Sequence, residues 1–370
     1  MDQSTVPDLV VNGRFLTRSL TGVDRVAREI VIALAAFQRS SENTDAFRLD
    51  IAVPKTSLSD AEIRNTLGLS RHSTIFRSRF GGYFWEQVIL PRVANRAVLL
   101  SLCNMGPIFR KRQFALIHDV QVFDAPQSYS RSFRTAYRSM QPTLTRNAGW
   151  IASVSQNSAK RMRASGLGTG RTIHILPNGA DHMARIAENK GAPIEHGLEP
   201  GKYFLAVGSL AVHKNLSILA QANKLRSERT FPLALVGAVD ERVFGSAESL
   251  RQDGIKLLGR VDDESLKALY CRARALLLPS LTEGFGLAAV EAMVCGCPVV
   301  VSGAGALRET CGEAAVYCDP RDARAWATAM DRLSTDQNEC EALSLAGVRR
   351  AEEFSWTASA RKLLSIVSVA

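Results

Sequence analysis

The stretch ALLLPSLTEGFGLAAVEAMVCGCPVVV, Ala275 to Val301, decides the fold. ALLLPS (275–280) is a short apolar run that reads as a buried strand. TEGFG supplies two glycines and a carboxylate. Residues 286–295 carry helix formers, and PVVV (298–301) is again a β-branched strand. A strand, a glycine-bearing loop, a helix and a second strand within so few residues form a βαβ unit. Its strands are too apolar to face water on either side.

The same alternation extends in both directions. YFLAVG (203–208), PLALVG (232–237) and IKLL (255–258) read as strands. Residues 214–227, 240–252 and 262–273 read as helices, the last opened by acidic residues that suit a helix N-terminus. In the first half, DLVVN (8–12) is a strand. A loop with Arg14 and Gly22 follows it, and then an amphipathic helix over 23–38. Further strands are expected at 48–53, 97–101, 114–118, 150–154 and 172–176. The fold class is therefore α/β, with two doubly wound, Rossmann-like units facing across a cleft. The expected boundaries are 1–180 and 202–352, with a linker at 181–201, where EHGLEPGK concentrates Gly, Pro and charge. A chain of 370 residues is long enough for two cores.

Composition narrows the function. The chain is 46% hydrophobic and 22% charged, as in soluble globular proteins. No apolar run approaches the roughly 18 to 20 residues of a membrane-spanning helix. MDQSTVPDLVV lacks a basic segment before an apolar one, so no Sec-type signal is expected. Seven irregularly spaced cysteines read as reduced thiols in a cytoplasmic protein. The charge is uneven. Residues 1–180 hold 24 Lys and Arg against 12 Asp and Glu, leaving 22 against 24 in 181–370. The basic first half favours an anionic partner, and a membrane surface or phosphorylated lipid ranks above nucleic acid, for which no motif is present. RSFRTAYRSMQPTLTR (131–146) sets Phe133, Tyr137, Met140 and Leu144 at helical spacing among arginines. It reads equally as an interfacial helix or as a core-facing helix with a basic outer face, and Pro142 argues against one long uninterrupted helix. The protein is expected in the cytoplasm, with peripheral attachment to the inner membrane face as a further expectation.

The loop after ALLLPS defines the chemistry. It lies at the carboxyl end of a strand, where ligands of such sheets bind. Its glycines abut a helix N-terminus with free N–H groups and partial positive charge, an arrangement that suits phosphate. It lacks the lysine and spacing of a P-loop, and GxGxxG is missing, which disfavours a nicotinamide oxidoreductase. Glu283 stands beside any bound phosphate, and its carboxylate suits sugar hydroxyls. Glu291 lies a turn or more into the helix, roughly 8 Å along it at 1.5 Å per residue, and could take a ribose diol. Sugar, diphosphate and ribose together describe a nucleotide sugar.

Glu283, seven intervening residues and Glu291, within EGFGLAAVEAMVCGCPVV, resemble the signature of the retaining glycosyltransferases of family four, which have the two-domain architecture called GT-B. The resemblance covers most of the chain and is most specific over 203–320. VGSLAVHKN (207–215) looks like the family's donor loop. Lys214 matches its diphosphate-binding lysine, while Ser209 stands where an arginine is common. Arg260 follows a strand and is a candidate to compensate or to contact the base. LPNGAD (176–181) resembles the interdomain stretch, which gives Asn178, Gly179 and Asp181 a hinge or structural role. FSWTASARKLL (354–364) resembles the terminal helix that crosses back onto the first domain. NGRFLTRSLTGVDRVARE (12–29), CNMGP (103–107) and LIHDVQVF (116–123) look like acceptor-side loops of a polysaccharide-assembling, mannosyltransferase branch. Arg14, Gly22, Asn104 and Asp119 are thereby acceptor-side candidates. The resemblance places His118 beside the transferred sugar.

What the resemblance implies is transfer of a hexose, with mannose from GDP-mannose the leading expectation, to a saccharide or polyprenyl-diphosphate-linked acceptor, with retention. The catalytic set would be His118, Glu283 and Lys214. Donor contacts would come from Ser209, Lys214, Arg260, Glu283, Gly284, Phe285, Gly286, Leu287 and Glu291, with N–H groups of Phe285–Leu287 on the leaving diphosphate. Neither cofactor nor metal is expected, and Asp262-Asp263 reads as a helix start. Two rival readings stay open: another nucleotide-sugar enzyme, such as an epimerase or sugar-phosphate synthase, and a non-catalytic glycan- or nucleotide-binding protein.

Overall fold

The computed structural model describes residues 7–40, 47–124, 126–227, 229–237, 250 and 253–368. The chain folds as two units. One comprises residues up to Gly179 together with Ser355 onward, and the other is Ala180–Phe354.

The first unit holds seven strands: β1 (Leu9–Asn12), β2 (Leu49–Val53), β3 (Ile75–Arg77), β4 (Val98–Ser101), β5 (Gln113–Ile117), β6 (Trp150–Ser153) and β7 (Ile173–Ile175). They pair in the order β3-β2-β1-β4-β5-β6-β7, and every pairing is parallel. Four of these strands are buried along their whole length, β1, β2, β4 and β5, as the apolar runs require. The second unit holds β8 (Phe204–Val207), β9 (Leu233–Val236), β10 (Ile255–Gly259), β11 (Ala275–Leu278), β12 (Val299–Ser302) and β13 (Val316–Cys318). Their order is β10-β9-β8-β11-β12-β13, again all parallel. In each sheet the winding reverses beside the first strand, between β1 and β4 and between β8 and β11. At such a switch point the loops diverge and leave a crevice.

Each core is made by strand residues meeting helix faces. Phe204, Leu277 and Val300 pack with Leu219 and Ala222 of the helix Leu216–Leu225 and with Trp326, Met330 and Leu333 of Ala323–Thr335. Ile117 and Ile151 pack with Leu144 and Met162 in the first unit.

The structure departs from expectation in four places. Strands β3 and β13 were not anticipated, since each has three residues and half-exposed positions. The helix expected at 240–252 falls largely outside the described residues. Residues 181–201 are not a free linker. They form short helices, His182–Arg185 and Ala192–Glu195, tied to the helix Asp263–Arg272 by Asn189 N–H to the Glu264 carbonyl at 3.2 Å and by Arg272 to Glu188 at 3.1 Å. Finally, Arg131–Asn147 is one helix with Pro142 inside it. The carbonyl that loses its donor to Pro142 belongs to the exposed Arg138, where water can satisfy it.

The helix Trp356–Ser368 belongs to the first unit. It buries Trp356, Ala360, Leu363 and Val367 and packs along Gly22–Ser40, with Arg361 stacked over Phe37 at 5.5 Å and Ser359 Oγ donating to the Pro177 carbonyl.

Candidate active site

Two loops meet at the switch point of the second unit. After β8 the chain makes a tight turn, Val212–Lys214, closed by Asn215 in the left-handed conformation at φ 55°. Asn215 Nδ2 donates to the carbonyls of Pro279 at 3.1 Å and Pro320 at 2.7 Å. Leu281 N–H donates to the His213 carbonyl at 2.8 Å. These bonds stitch the loop after β8 to the loop after β11 and fix Lys214 opposite Glu283.

Lys214 Nζ donates to Glu283 Oε1 at 2.7 Å, and Ser280 Oγ donates to the same oxygen at 2.6 Å. Glu283 is buried, whereas the Lys214 side chain keeps about a quarter of its surface, 23%. Burial pushes the Glu283 pKa up. Lys214 and Ser280 outweigh it, so the carboxyl titrates below its usual range and is ionised at neutral pH. A third loop, after β12, clamps the Glu283 backbone: Ala306 N–H donates to the Glu283 carbonyl at 3.1 Å. Gly305, at φ 62°, passes so close that a Cβ would lie 2.5 Å from Glu283 N and O. Gly286, at φ 94°, turns the chain into the helix Leu287–Val294, and its carbonyl accepts the first helical bond, from Ala289.

Glu291 lies inside that helix and is buried. Tyr270 hydroxyl donates to Oε2 at 3.2 Å, and His182 Nε2 stands 3.2 Å from Oε1. Ser209 is exposed after β8. Arg260 is exposed just past β10, two strands from β8 at roughly 10 Å by inter-strand spacing. The geometry thus brings together Lys214, Glu283, Gly284, Phe285, Gly286 and Leu287, holds Glu291 one to two turns along the same helix, and leaves Arg260 at the sheet's far side. Asp262 is an N-cap, accepting from Ser265 N–H at 2.8 Å.

The first unit has its own cluster at the β1/β4 switch point. Asn12 ends β1, and its Nδ2 donates to Glu86 Oε1 at 3.1 Å. Arg14 donates to Glu86 Oε2 at 2.5 Å and stacks over Tyr83. Arg18 donates to the fully buried Asp24 at 2.7 Å. His118 closes β5. Its backbone N–H donates to Asn104 Oδ1 at 2.7 Å, with Asn104 left-handed at φ 64°, and its ring Nε2 sits 2.7 Å from the Leu102 carbonyl. A carbonyl only accepts, so Nε2 carries the proton and Nδ1 the lone pair. Burial lowers the His118 pKa to about 4, with the Leu102 carbonyl and Asp24 opposing, so the ring is neutral at pH 7. Asp119 accepts from Gln121 N–H at 3.0 Å, and Gly22 lies exposed at the start of its helix. Asn178 and Gly179 end the first unit, and Asp181 lies just inside the second.

Sequence reasoning missed Glu86, His182 and Tyr270, and gave no individual role to Asn12, Arg18, Asp24, His213 and Ser280, which lie in stretches it quoted, or to Tyr137 beyond its place on the helix 131–146. Most are partners reached across the fold, with no local spacing to reveal them.

His213 is also driven to a pKa of about 4, first by burial and then by Lys214. Both histidines bind protons more readily when the chain is unfolded. Their linkage therefore leaves stability intact above about pH 6.5 and removes it as pH falls toward 4. Between pH 6.5 and 5 the expected loss is roughly 1.5 kcal/mol for each. Thermal midpoints across that range check this. His118→Asn should flatten the slope, and an unchanged slope would refute the assignment.

The glycosyl transferases group 1 family matches residues 193–350. An O-antigen chain mannosyltransferase B of Escherichia coli is 31% identical over 271 residues, 69% of this chain and 71% of that one. The O-antigen chain mannosyltransferase RfbU of Salmonella typhimurium is 25% identical, over 68% of this chain and 69% of its own. Among solved structures, HepE of Anabaena, in complex with UDP and glucose, superposes with a TM-score of 0.76 over 98% of this chain and 100% of its own, at 16% identity. The chain belongs to the glycosyl transferases group 1 family. It is a glycosyltransferase with the two Rossmann-like domains of the GT-B class.

Proposed function

We propose that this enzyme transfers mannose from GDP-mannose to a saccharide or polyprenyl-diphosphate-linked saccharide in bacterial surface polysaccharide assembly, with retention and without a metal. The observation that carries the reading is the Lys214–Glu283 ion pair at the switch point, beside the N-terminus of Leu287–Val294. A diphosphate arriving there takes Lys214 as its counter-charge. Glu283 is released from the ammonium and accepts hydrogen bonds from hydroxyls of the transferred sugar. Backbone N–H groups of Phe285–Leu287 face charge that develops on the leaving oxygen. Glu291, oriented by Tyr270 and His182, takes the ribose diol. Ser209 completes the donor side, and Arg260, two strands away, is left to the nucleotide base.

The sugar's C1–O bond to the diphosphate breaks with its electron pair going to the phosphate. The acceptor oxygen bonds to C1 on the same face, and its proton passes to the leaving phosphate oxygen. On the acceptor side, neutral His118 offers the Nδ1 lone pair to a hydroxyl, with Arg14, Gly22, Asn104 and Asp119 shaping the surrounding loops. The two O-antigen mannosyltransferase relatives support the sugar and the pathway class. The basic residues of 1–180 support attachment to an anionic membrane surface, and no described helix is long and apolar enough to cross one.

Thermal-shift screening with GDP, UDP, ADP and dTDP tests the donor. GDP is expected to stabilise the protein by about 2.7 kcal/mol at a hundredfold excess over Kd. A shift with UDP alone would overturn GDP-mannose, and no shift with any nucleotide would overturn the donor site. Anomeric analysis of the product by NMR tests retention, and full activity in EDTA tests metal independence.

A further inference from the structure

The switch point of the first unit contains a small pocket lined by Asn12, Arg14, Arg18, Glu86, Cys103 and Tyr137 among others, with room for about one water-sized group. Glu86 occupies an unusual backbone. The helical run Gly82–Ala94 is interrupted by a single π turn, Trp85–Ile89, in which Leu90 N–H reaches back five residues to the Trp85 carbonyl. Pro91 follows directly. It cannot donate to the Gln87 carbonyl and its ring crowds it, so the chain widens by one residue to fit. Such turns are rare and concentrate at functional sites. Here the widening brings Glu86, 1% exposed, to the end of β1, where Asn12 and Arg14 hold one carboxylate oxygen each.

Charge decides what the pocket accepts. Two guanidiniums line it, which would ordinarily suggest an anion. Each is already matched by a buried carboxylate: Arg14 by Glu86 at 2.5 Å and Arg18 by Asp24 at 2.5 Å. No net positive charge is left for a phosphate. The groups at the pocket supply several donors, a phenol hydroxyl and carboxylate lone pairs, with room for one small neutral group. Tyr137 faces Arg14, Arg18, Tyr83 and Glu86 from the helix Arg131–Asn147, so the pocket has a wall from a separate element.

We propose that this pocket seats a single hydroxyl of a neutral hexose acceptor, read by Glu86 as acceptor and by Arg14 and Tyr137 as donors, and that Glu86 is a specificity-determining residue of the enzyme. The inference rests on the glycosyltransferase reading above but not on its donor assignment.

The test uses saturation-transfer NMR on the full chain with a panel of methyl α-hexosides, methyl α-mannoside first. Native protein should give a signal with at least one of them. Glu86→Gln should weaken that binding by about tenfold or more. Tyr137→Phe, which leaves the Asn12–Glu86–Arg14 contacts untouched, should weaken it severalfold with an unchanged melting temperature. The nucleotide thermal shift should persist in both variants, which separates this site from the donor site. Equal binding by native protein and both variants, displacement of the glycoside by inorganic phosphate, or no hexoside signal in native protein would each overturn the proposal. Glycoside binding that persists while every nucleotide fails to shift the native protein would support this pocket and sink the donor reading instead.

Discussion

Lys214→Ala is expected to lower kcat/KM by about a thousandfold, and Glu283→Ala by at least as much, with both variants folded. Loss of one preorganised group facing developing charge costs about 10² to 10³ in rate. Here each residue also positions the other, through the 2.7 Å contact. The two variants should differ in stability. Lys214→Ala strands a carboxylate that is only 8% exposed, with Ser280 its remaining bonded neighbour in the pair. Removing one partner of a fully buried pair costs about 3–5 kcal/mol. Lys214 still reaches solvent, so about 2 kcal/mol is expected here. Glu283→Gln should cost less, because the ammonium it leaves can hydrate. The double variant Lys214→Met/Glu283→Gln should regain stability relative to Lys214→Ala without regaining activity. Urea denaturation and initial rates measure both. Full activity in either single variant would refute the site.

Gly305→Ala is expected to lower kcat by about a hundredfold through Glu283, although residue 305 itself is given no contact with substrate. At φ 62° an alanine is strained by roughly 1–2 kcal/mol, and its Cβ would meet Glu283 N and O at 2.5 Å. Backbone atoms cannot swing aside as a side chain does, so the TEGFG loop must move. A displacement of about 1 Å in a positioning group costs on the order of 10² in rate. Gly296→Ala supplies the control. Its φ is 69° and its nearest contact is Ser344 Oγ at 3.3 Å, at the opposite end of the helix. It should lose comparable stability and keep its rate. Equal rate losses in the two variants would mean that strain alone, and not the Glu283 loop, governs activity.

Much of this was legible in the sequence because the decisive groups are local. The strand, loop and helix of 275–295 lie within one βαβ unit, and the apolar strands needed no partner to be recognised. Lys214 came from the resemblance of VGSLAVHKN to the family's donor loop, and the structure sets it 2.7 Å from Glu283. What could not be read was pairing over distance. Glu86 meets Asn12 across 74 residues, and Tyr270 meets Glu291 across 21 on a different helix. Composition does not encode such meetings. Strands β3 and β13 escaped because three residues carry too little periodicity. The linker expectation failed because Gly, Pro and charge mark surface turns as readily as joints, and 181–201 is held by side chains on Asp263–Arg272. Pro142 argues against one uninterrupted helix only until Arg138, whose carbonyl loses its donor, is known to be exposed.

The return of Trp356–Ser368 to the first unit makes that unit discontinuous along the chain. The second unit, Ala180–Phe354, is continuous, so its folding needs no residue beyond 354. The first unit is translated earlier yet remains incomplete until residue 368 emerges, since Leu363 and Val367 belong to its buried interior. Until then part of Gly22–Ser40 lies uncovered in the nascent chain. The portion made first is thus the portion finished last. Truncation at residue 354 would therefore injure the amino-terminal unit, which loses a packed helix, rather than Ala180–Phe354, which keeps all its residues.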